Sequence, residues 1–356
     1  MIRGARTLAV VVLLGAAPAS AQTAQPSFAA IESVAAFEEH VDEGGRGTWG
    51  LTFDTVVSAS LGSNFQAIAR LCAVGSSDEW NRQIQPITLR YERRGQVAVR
   101  VDGGFLPSPI GTSILTNRPH LNPTITQPSY SFAALPIFEP DGTSAQLLSA
   151  SYPLGALVAV SGGRWDVRTG VIDSSPVRPR RVFSGANPPR FAQLVAGGGI
   201  SPVFGMRIGA AVAHGGWAAA PARSATLVTI EGEYGYRYTK VTAEWVHDAF
   251  ESAASGAPDG DVTASGWHAQ VVQTLAPRWF VAGRIERMSL DATLTPNPPF
   301  SLDRVPQHFT GTEETLGYRV TPEVTIRAGH RARRTFGRSM WDHEASVSLV
   351  WARRWM

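Results

Sequence analysis

Three things are scarce in this chain. Lys240 is the only lysine among 32 basic residues, and Cys72 is the only cysteine. No stretch offers the roughly 18 consecutive apolar residues that a membrane-spanning helix needs. A single cysteine excludes an internal disulfide and any cysteine-based metal or haem site. The near-exclusive use of arginine reads first as codon bias, with attraction of anions as the second reading. A formal net charge of +3 favours no class of partner. Nucleic acid is not expected, because the arginines alternate with acids instead of forming a basic patch. Enzyme motifs are missing too: there is no Gly-x-Ser-x-Gly, no His-Glu-x-x-His and no phosphate-cradling loop. His214, His247, His268, His330 and His343 fall on separate predicted strands without ligand spacing. No catalytic residue, metal or cofactor is therefore assigned, although an enzyme whose groups sit on separate strands would leave no local motif.

What is present begins with an envelope address. Residues 1–21 carry Arg3 and Arg6, an apolar run from Leu8 to Gly15 and a small-residue site at Ala19-Ser20-Ala21. This is the pattern of a secretory signal peptide, cleaved near Ala21, with an uncleaved anchor as the alternative. Residues 22–46 read as a periplasmic lead-in. Within them Ile31, Val34, Ala35, Phe37 and Val41 have helical spacing, which suggests a short helix or an unstructured segment.

From residue 47 onward the pattern changes to period two. In the segment 323–333, Val324, Ile326, Ala328 and Ala332 share one parity and Glu323, Thr325, Arg327, Arg331 and Arg333 the other. A strand turns successive side chains to opposite faces, so this is a strand with one greasy and one charged face. Fifteen segments behave this way, most of them paired across short turns such as Gly62-Ser63-Asn64, Gly162-Gly163-Arg164 and Thr321-Pro322. Val97, Val99 and Val101, or Trp279, Val281 and Ile285, lie on the apolar parity. A soluble sandwich or propeller would also alternate. It would not place Trp165, Trp217, Trp267, Trp279, Trp341, Trp351 and Trp355 near strand ends, where girdles sit at a bilayer interface. The fold expected is an all-β, transmembrane, antiparallel up-and-down β-barrel over residues 47–356. Such barrels have an even number of strands, so about sixteen are expected, with fourteen the alternative.

The short turns then face the periplasm and the long links, among them 74–83, 106–153 and 215–224, face outward. Charges at mid-depth belong on the lumen side. Pore-lining candidates are Arg90, Arg100, Arg168, Arg284, Arg327 and Arg331, opposite Glu231, Glu233, Glu244 and Glu286; cross-strand ion pairing is their structural alternative. The longest link, 106–152, holds seven prolines from Pro107 to Pro140. Proline fixes φ and removes a donor, so such a loop can hold shape without a ladder. It either folds inward to constrict the pore, through Pro107, Pro109, Asn122, Pro123 and Tyr130, or packs at the rim.

Residues 99–111, Val-Arg-Val-Asp-Gly-Gly-Phe-Leu-Pro-Ser-Pro-Ile-Gly, resemble the strand-then-loop segment of porins related to the phosphate-selective porin O and P group. Arg319-Val-Thr-Pro-Glu before an arginine-rich strand is similar to that group's last hairpins. The resemblance implies a passive outer-membrane pore in a Gram-negative envelope. It does not carry phosphate selectivity, since the lumen parity interleaves acids with arginines and has one lysine. The function expected is passive diffusion of small polar or charged solutes, with outer-membrane lipid as surroundings and a homotrimer as an assembly seen for barrels of this size. The alternative is a non-conducting barrel that anchors, adheres or binds a partner.

Overall fold

Alternation decides the architecture. In the computed structural model, Phe53 is 47% exposed on the outside while its neighbour Asp54 is 0% exposed on the inside. The structure describes residues 29–76, 80–115, 117–138, 144–149, 151–178, 190–218, 223–251, 261–292, 308–335 and 339–355. The expected signal peptide lies outside them.

The strands are β1 (Ala29–Asp42), β2 (Gly47–Ser60), β3 (Phe65–Ser76), β4 (Trp80–Arg93), β5 (Ala98–Phe105), β6 (Ala134–Phe138), β7 (Ser144–Gln146), β8 (Leu154–Ser161) and β9 (Trp165–Ile172). They continue with β10 (Gln193–Ile200), β11 (Met206–Ala218), β12 (Arg223–Tyr236), β13 (Thr239–Glu251), β14 (Asp261–Ala276), β15 (Trp279–Ala292), β16 (His308–Arg319), β17 (Val324–Thr335) and β18 (Asp342–Trp355). All except β6 and β7 form one closed barrel of sixteen strands, each antiparallel to its neighbours; β6 and β7 pair with each other inside loop 106–153. The barrel closes where β1 pairs with β18, from Ile31 opposite Trp355 to Asp42 opposite Glu344. An exposed apolar outer face on a closed all-antiparallel wall makes this a transmembrane barrel, because closure leaves no unpaired backbone edge to meet lipid.

Three expectations need correction. The lead-in was expected to be helical or unstructured, yet residues 29–42 form the closing strand. Its period is obscured because Val34 and Ala36 are apolar on the inner parity, where they pack beside Val350. This strand is the sixteenth, and the barrel begins at Ala29 rather than at residue 47. Trp217 was expected in a girdle but faces inward at 1% exposure, edge-on to Phe250, with its ring N–H on the Glu251 carbonyl. Finally, links 74–83 and 215–224 shorten to 77–79 and 219–222, because the flanking strands run further.

Aromatic pairs mark the short-turn end: Phe65 with Tyr91, Trp279 with Tyr318 and Trp351 with Trp355. Arg353 faces outward there, its guanidinium 4.3 Å above the Trp355 ring. That position lets the charge reach the headgroups while its stem lies along apolar surface.

A charge at mid-height of the outer wall should be expensive and one facing inward should not. Phe53→Arg should lower unfolding free energy by about 2–4 kcal/mol, and Thr52→Arg by much less. Denaturant titration of the protein folded into lipid vesicles measures both, and equal costs would mean the facing is wrong.

Candidate functional site

Loop 106–153 leaves the wall between β5 and β8 and folds into the lumen. A segment without a ladder must find partners for its own N–H and C=O groups. Inner-wall carboxylates supply acceptors and inner-wall arginines supply donors.

The first anchor is a four-residue helix, α1 (Thr112–Leu115), whose Thr112 and Ser113 N–H groups donate to Glu244 at 2.6 and 3.2 Å. Glu244 lies on β13, five strands beyond β8 in the barrel order. The chain then reaches β1–β3. Arg118 donates through Nε to Asp54 at 3.0 Å and also pairs with Glu32. Arg70 lies 2.6 Å from the same Asp54 and donates to the Asn117 side chain at 3.2 Å. His120 sits 3.2 Å from Glu32. Burial, and then the Arg118 guanidinium, lower the pKa of His120. We therefore read that contact as made by a neutral ring.

The return path lies against β14–β17. One nitrogen of Arg327 donates to the carbonyls of Pro119, Asn122 and Thr124 at 3.2, 2.7 and 2.9 Å. Glu313 accepts from the Ile125 and Thr126 amides at 2.7 and 3.0 Å. Arg284 bridges that carboxylate, at 2.7 Å, to the Thr126 and Gln127 carbonyls. Glu286 accepts from both the amide and the hydroxyl of Ser129 at 2.7 Å. The Tyr130 hydroxyl donates to Glu244 at 3.0 Å, so the 2.8 Å contact to His268 requires that ring to donate from Nδ1. Burial, reinforced by the Glu244 charge, raises the phenol pKa well above its ordinary value and keeps it a donor.

Beneath these bonds lies an apolar seat. Leu106, Ile110, Tyr130, Leu135, Leu147 and Leu148 join wall residues such as Leu157, Leu227, Val246 and Phe250 in one buried cluster. Two glycines make the approach possible. A Cβ on Gly266 would lie 2.6 Å from Leu147 and 2.7 Å from the Tyr130 ring. Gly111 has φ +88°, and a Cβ there would strike Leu148 at 2.5 Å.

Below the loop, toward the short-turn end, the inner wall is lined by ion pairs. Asp102 lies 2.7 Å from Arg90 and 3.0 Å from Arg100. Arg207 pairs with Asp166 at 3.1 Å and also with Glu231, while Arg168 stands 4.0 Å from Glu231. Lys240 pairs with Glu233 at 2.9 Å. Arg331 and Glu344 pair at 2.9 Å nearer the opposite end.

All ten pore-lining candidates therefore stand on the inner parity, but in two groups. Arg90, Arg100, Arg168, Glu231, Glu233 and Arg331 line the wall as ion pairs. Glu244, Arg284, Glu286 and Arg327, expected along open water, are buried at 2–4% exposure because the loop covers them. Of the loop candidates, Tyr130 is fully buried and Asn122 holds the turn, its amide donating to the Thr126 carbonyl at 2.7 Å. Pro109 is buried and Pro123 half-buried, whereas Pro107 is exposed near the wall. Sequence reasoning missed Glu32, Asp54, Arg70, Arg118, His120 and Glu313. Arg70 and Glu313 could have been found from the parity of β3 and β16.

Neither a family model nor a curated protein sequence matches the chain. Solved structures do match in fold. OmpT of Vibrio cholerae in its trimer form superposes at TM-score 0.60 with 8% identity, over 92% of this chain and 100% of that one. The anion-selective porin from Comamonas acidovorans gives 0.57 with 11% identity over the same shares. The outer membrane protein OpdK of Pseudomonas aeruginosa gives 0.51 with 10% identity, over 92% and 99%. At these identities the likeness shows the fold alone, a closed antiparallel outer-membrane barrel, and it does not reach the O and P group.

The loop should come loose when its carboxylate anchor is removed. Glu313→Ala leaves Arg284 with only the more distant carboxylate of Glu286, 3.9 Å away, and two amides without acceptors, a loss of about 3–5 kcal/mol for a broken buried pair. Limited chymotrypsin digestion should then cut after Tyr130, a site protected by burial in the unsubstituted protein. Equal resistance of the two proteins would show that Glu313 is not an anchor.

Proposed function

We propose that the protein is a porin-like channel of a Gram-negative outer membrane, through which small polar or charged solutes diffuse passively, and that loop 106–152 constricts it. The observation that carries this reading is the inward loop, fixed to β1–β3 on one side and β13–β17 on the other by Asp54, Glu244, Glu286, Glu313 and Arg327. What passes must do so beside that loop and along the paired charges of Arg90, Arg100, Arg168, Arg207, Glu231 and Glu233. Alternating charges of both signs orient polar solutes and disfavour apolar ones. The near balance of signs supports weak ion preference, and nothing in it supports phosphate selectivity. The fold shared with porins supports the outer-membrane setting.

One observation favours the second reading, a non-conducting barrel that binds a partner. The apolar cluster under the loop occupies the lumen on the side of β8–β16, and a filled lumen is what a plugged barrel has.

Planar-bilayer recording separates the two. The channel reading expects discrete conductance steps from the purified protein and steps several-fold larger after residues 112–130 are replaced by a short Gly-Ser link. A silent native barrel that conducts only after this deletion would establish the plug instead. Silence of both, with the barrel folded, would remove the channel reading altogether.

A further inference from the structure

At mid-height the outer wall is apolar nearly all round, and one sector departs from this; the exposed outward charges Arg287 and Glu39 stand higher, toward the opposite rim. Glu314 points outward from the middle of β16 and is exposed. It stands four residues above Tyr318, about 13 Å along a strand that rises ~3.3 Å per residue. With a tilt of about 40° that is roughly 10 Å of height, close to the middle of an apolar band about 25 Å tall. Within the chain no hydrogen bond or ion pair of Glu314 is found among the described residues. Its register neighbours are Gly283 on β15 and His330 on β17. One ring nitrogen of His330 lies 3.0 Å from His343, the rings stacked, which leaves Nδ1 of His330 without a partner among the described residues. A groove of about 610 Å³ runs past Glu314, His330, Gly283, Ala328 and Leu316 on this face.

We infer that this sector docks a second copy of the chain, as a two-fold pair within the membrane. Ionisable groups at mid-bilayer depth are rare unless they meet a partner, and acyl chains offer none. Small residues, here Gly283 and Ala328, let two walls approach closely, which is how association is stabilised where no hydrophobic difference drives it. The choice of occupant follows from the acid and the imidazole standing side by side on adjacent strands. A two-fold axis along the membrane normal, passing between β16 and β17, sets Glu314 on the partner's His330 and His330 on the partner's Glu314. It also keeps both barrels the same way up, and an isologous contact is self-complementary in this manner. A three-fold ring, the assembly that barrel size suggests, would set the sector against a different face and leave the match unused.

The test uses the full-length protein in lipid nanodiscs, with Cys72→Ser to remove the lumen thiol. A cysteine at position 328, Ala328→Cys, should be joined to its mate by a short bifunctional thiol reagent. Val167→Cys, on the outer face of β9, should not. Glu314→His should reduce the joined fraction to the level of that control, and the exchange Glu314→His with His330→Glu should restore it. Heat-modifiable gel mobility checks that each variant is a folded barrel. Native mass spectrometry should read two copies. Joining at position 328 no greater than at 167, or unaffected by Glu314→His, overturns the inference. So does failure of the folded exchange variant to recover, or a native mass of one or three copies.

Discussion

A backbone in lipid has no water to satisfy its N–H and C=O groups, and the rest of this structure depends on that constraint. The pairing of β1 with β18 removes the last free edges of the wall. Closure fixes an inside and an outside, and the period-two geometry of each strand then sorts side chains between them. The inner-parity charges on β4, β5, β9, β12, β13, β15 and β17 therefore gather in the lumen. The polar lumen is thus a consequence of the wall before it is a property of any transport path.

The lumen in turn makes the loop possible. A proline-rich segment without a ladder would carry orphan backbone groups into any interior it entered. Here the inner wall already holds carboxylates and guanidinium groups facing inward. Glu244, Glu286 and Glu313 take the loop's amides, and Arg284 and Arg327 take its carbonyls. Each sign serves one half of the peptide group. The interleaving of acids with arginines that argues against a phosphate ladder is also what lets one wall hold a peptide segment. The energetics are asymmetric: a buried ion pair adds little over apolar packing, but removing one member leaves the other charge stranded. Such anchors define where the loop lies more than they stabilise the whole.

How much of this was legible in the sequence depends on whether a feature was local. Parity is local, so fifteen wall strands and the facing of all ten charged candidates could be read from the chain. The sixteenth strand could not, since Val34 and Ala36 put apolar groups on its inner face and mimic a helical period. The division between ion-paired wall and buried anchors was equally hidden. Glu233 and Glu244 look alike in sequence, each an acid on the inner parity of neighbouring strands. One faces Lys240 near the short-turn end, and the other lies beneath a loop whose amides arrive from more than a hundred residues away. Glu32 and Asp54 went unseen for the same reason, their partner Arg118 belonging to a distant segment.

The placement of charge also separates what holds the barrel together from what its surface can do. Inside, most carboxylates among the described residues are matched: Asp54 by Arg70 and Arg118, Asp102 by Arg90 and Arg100, Glu344 by His40 and Arg331, with the buried Asp248 an exception. A wall that matches most of its acids across non-adjacent segments makes the outward Glu314, unmatched among the described residues, hard to treat as incidental. Random drift on the outer face would be expected to leave charges near the headgroups, where Arg353 sits and where their cost is small. Glu314 lies instead near mid-depth, where a lone carboxylate is destabilising in lipid and tolerable against protein. The same rule that sends Glu313 into the lumen to meet Arg284 is met for its neighbour on the other parity when Glu314 faces His330 of a second copy.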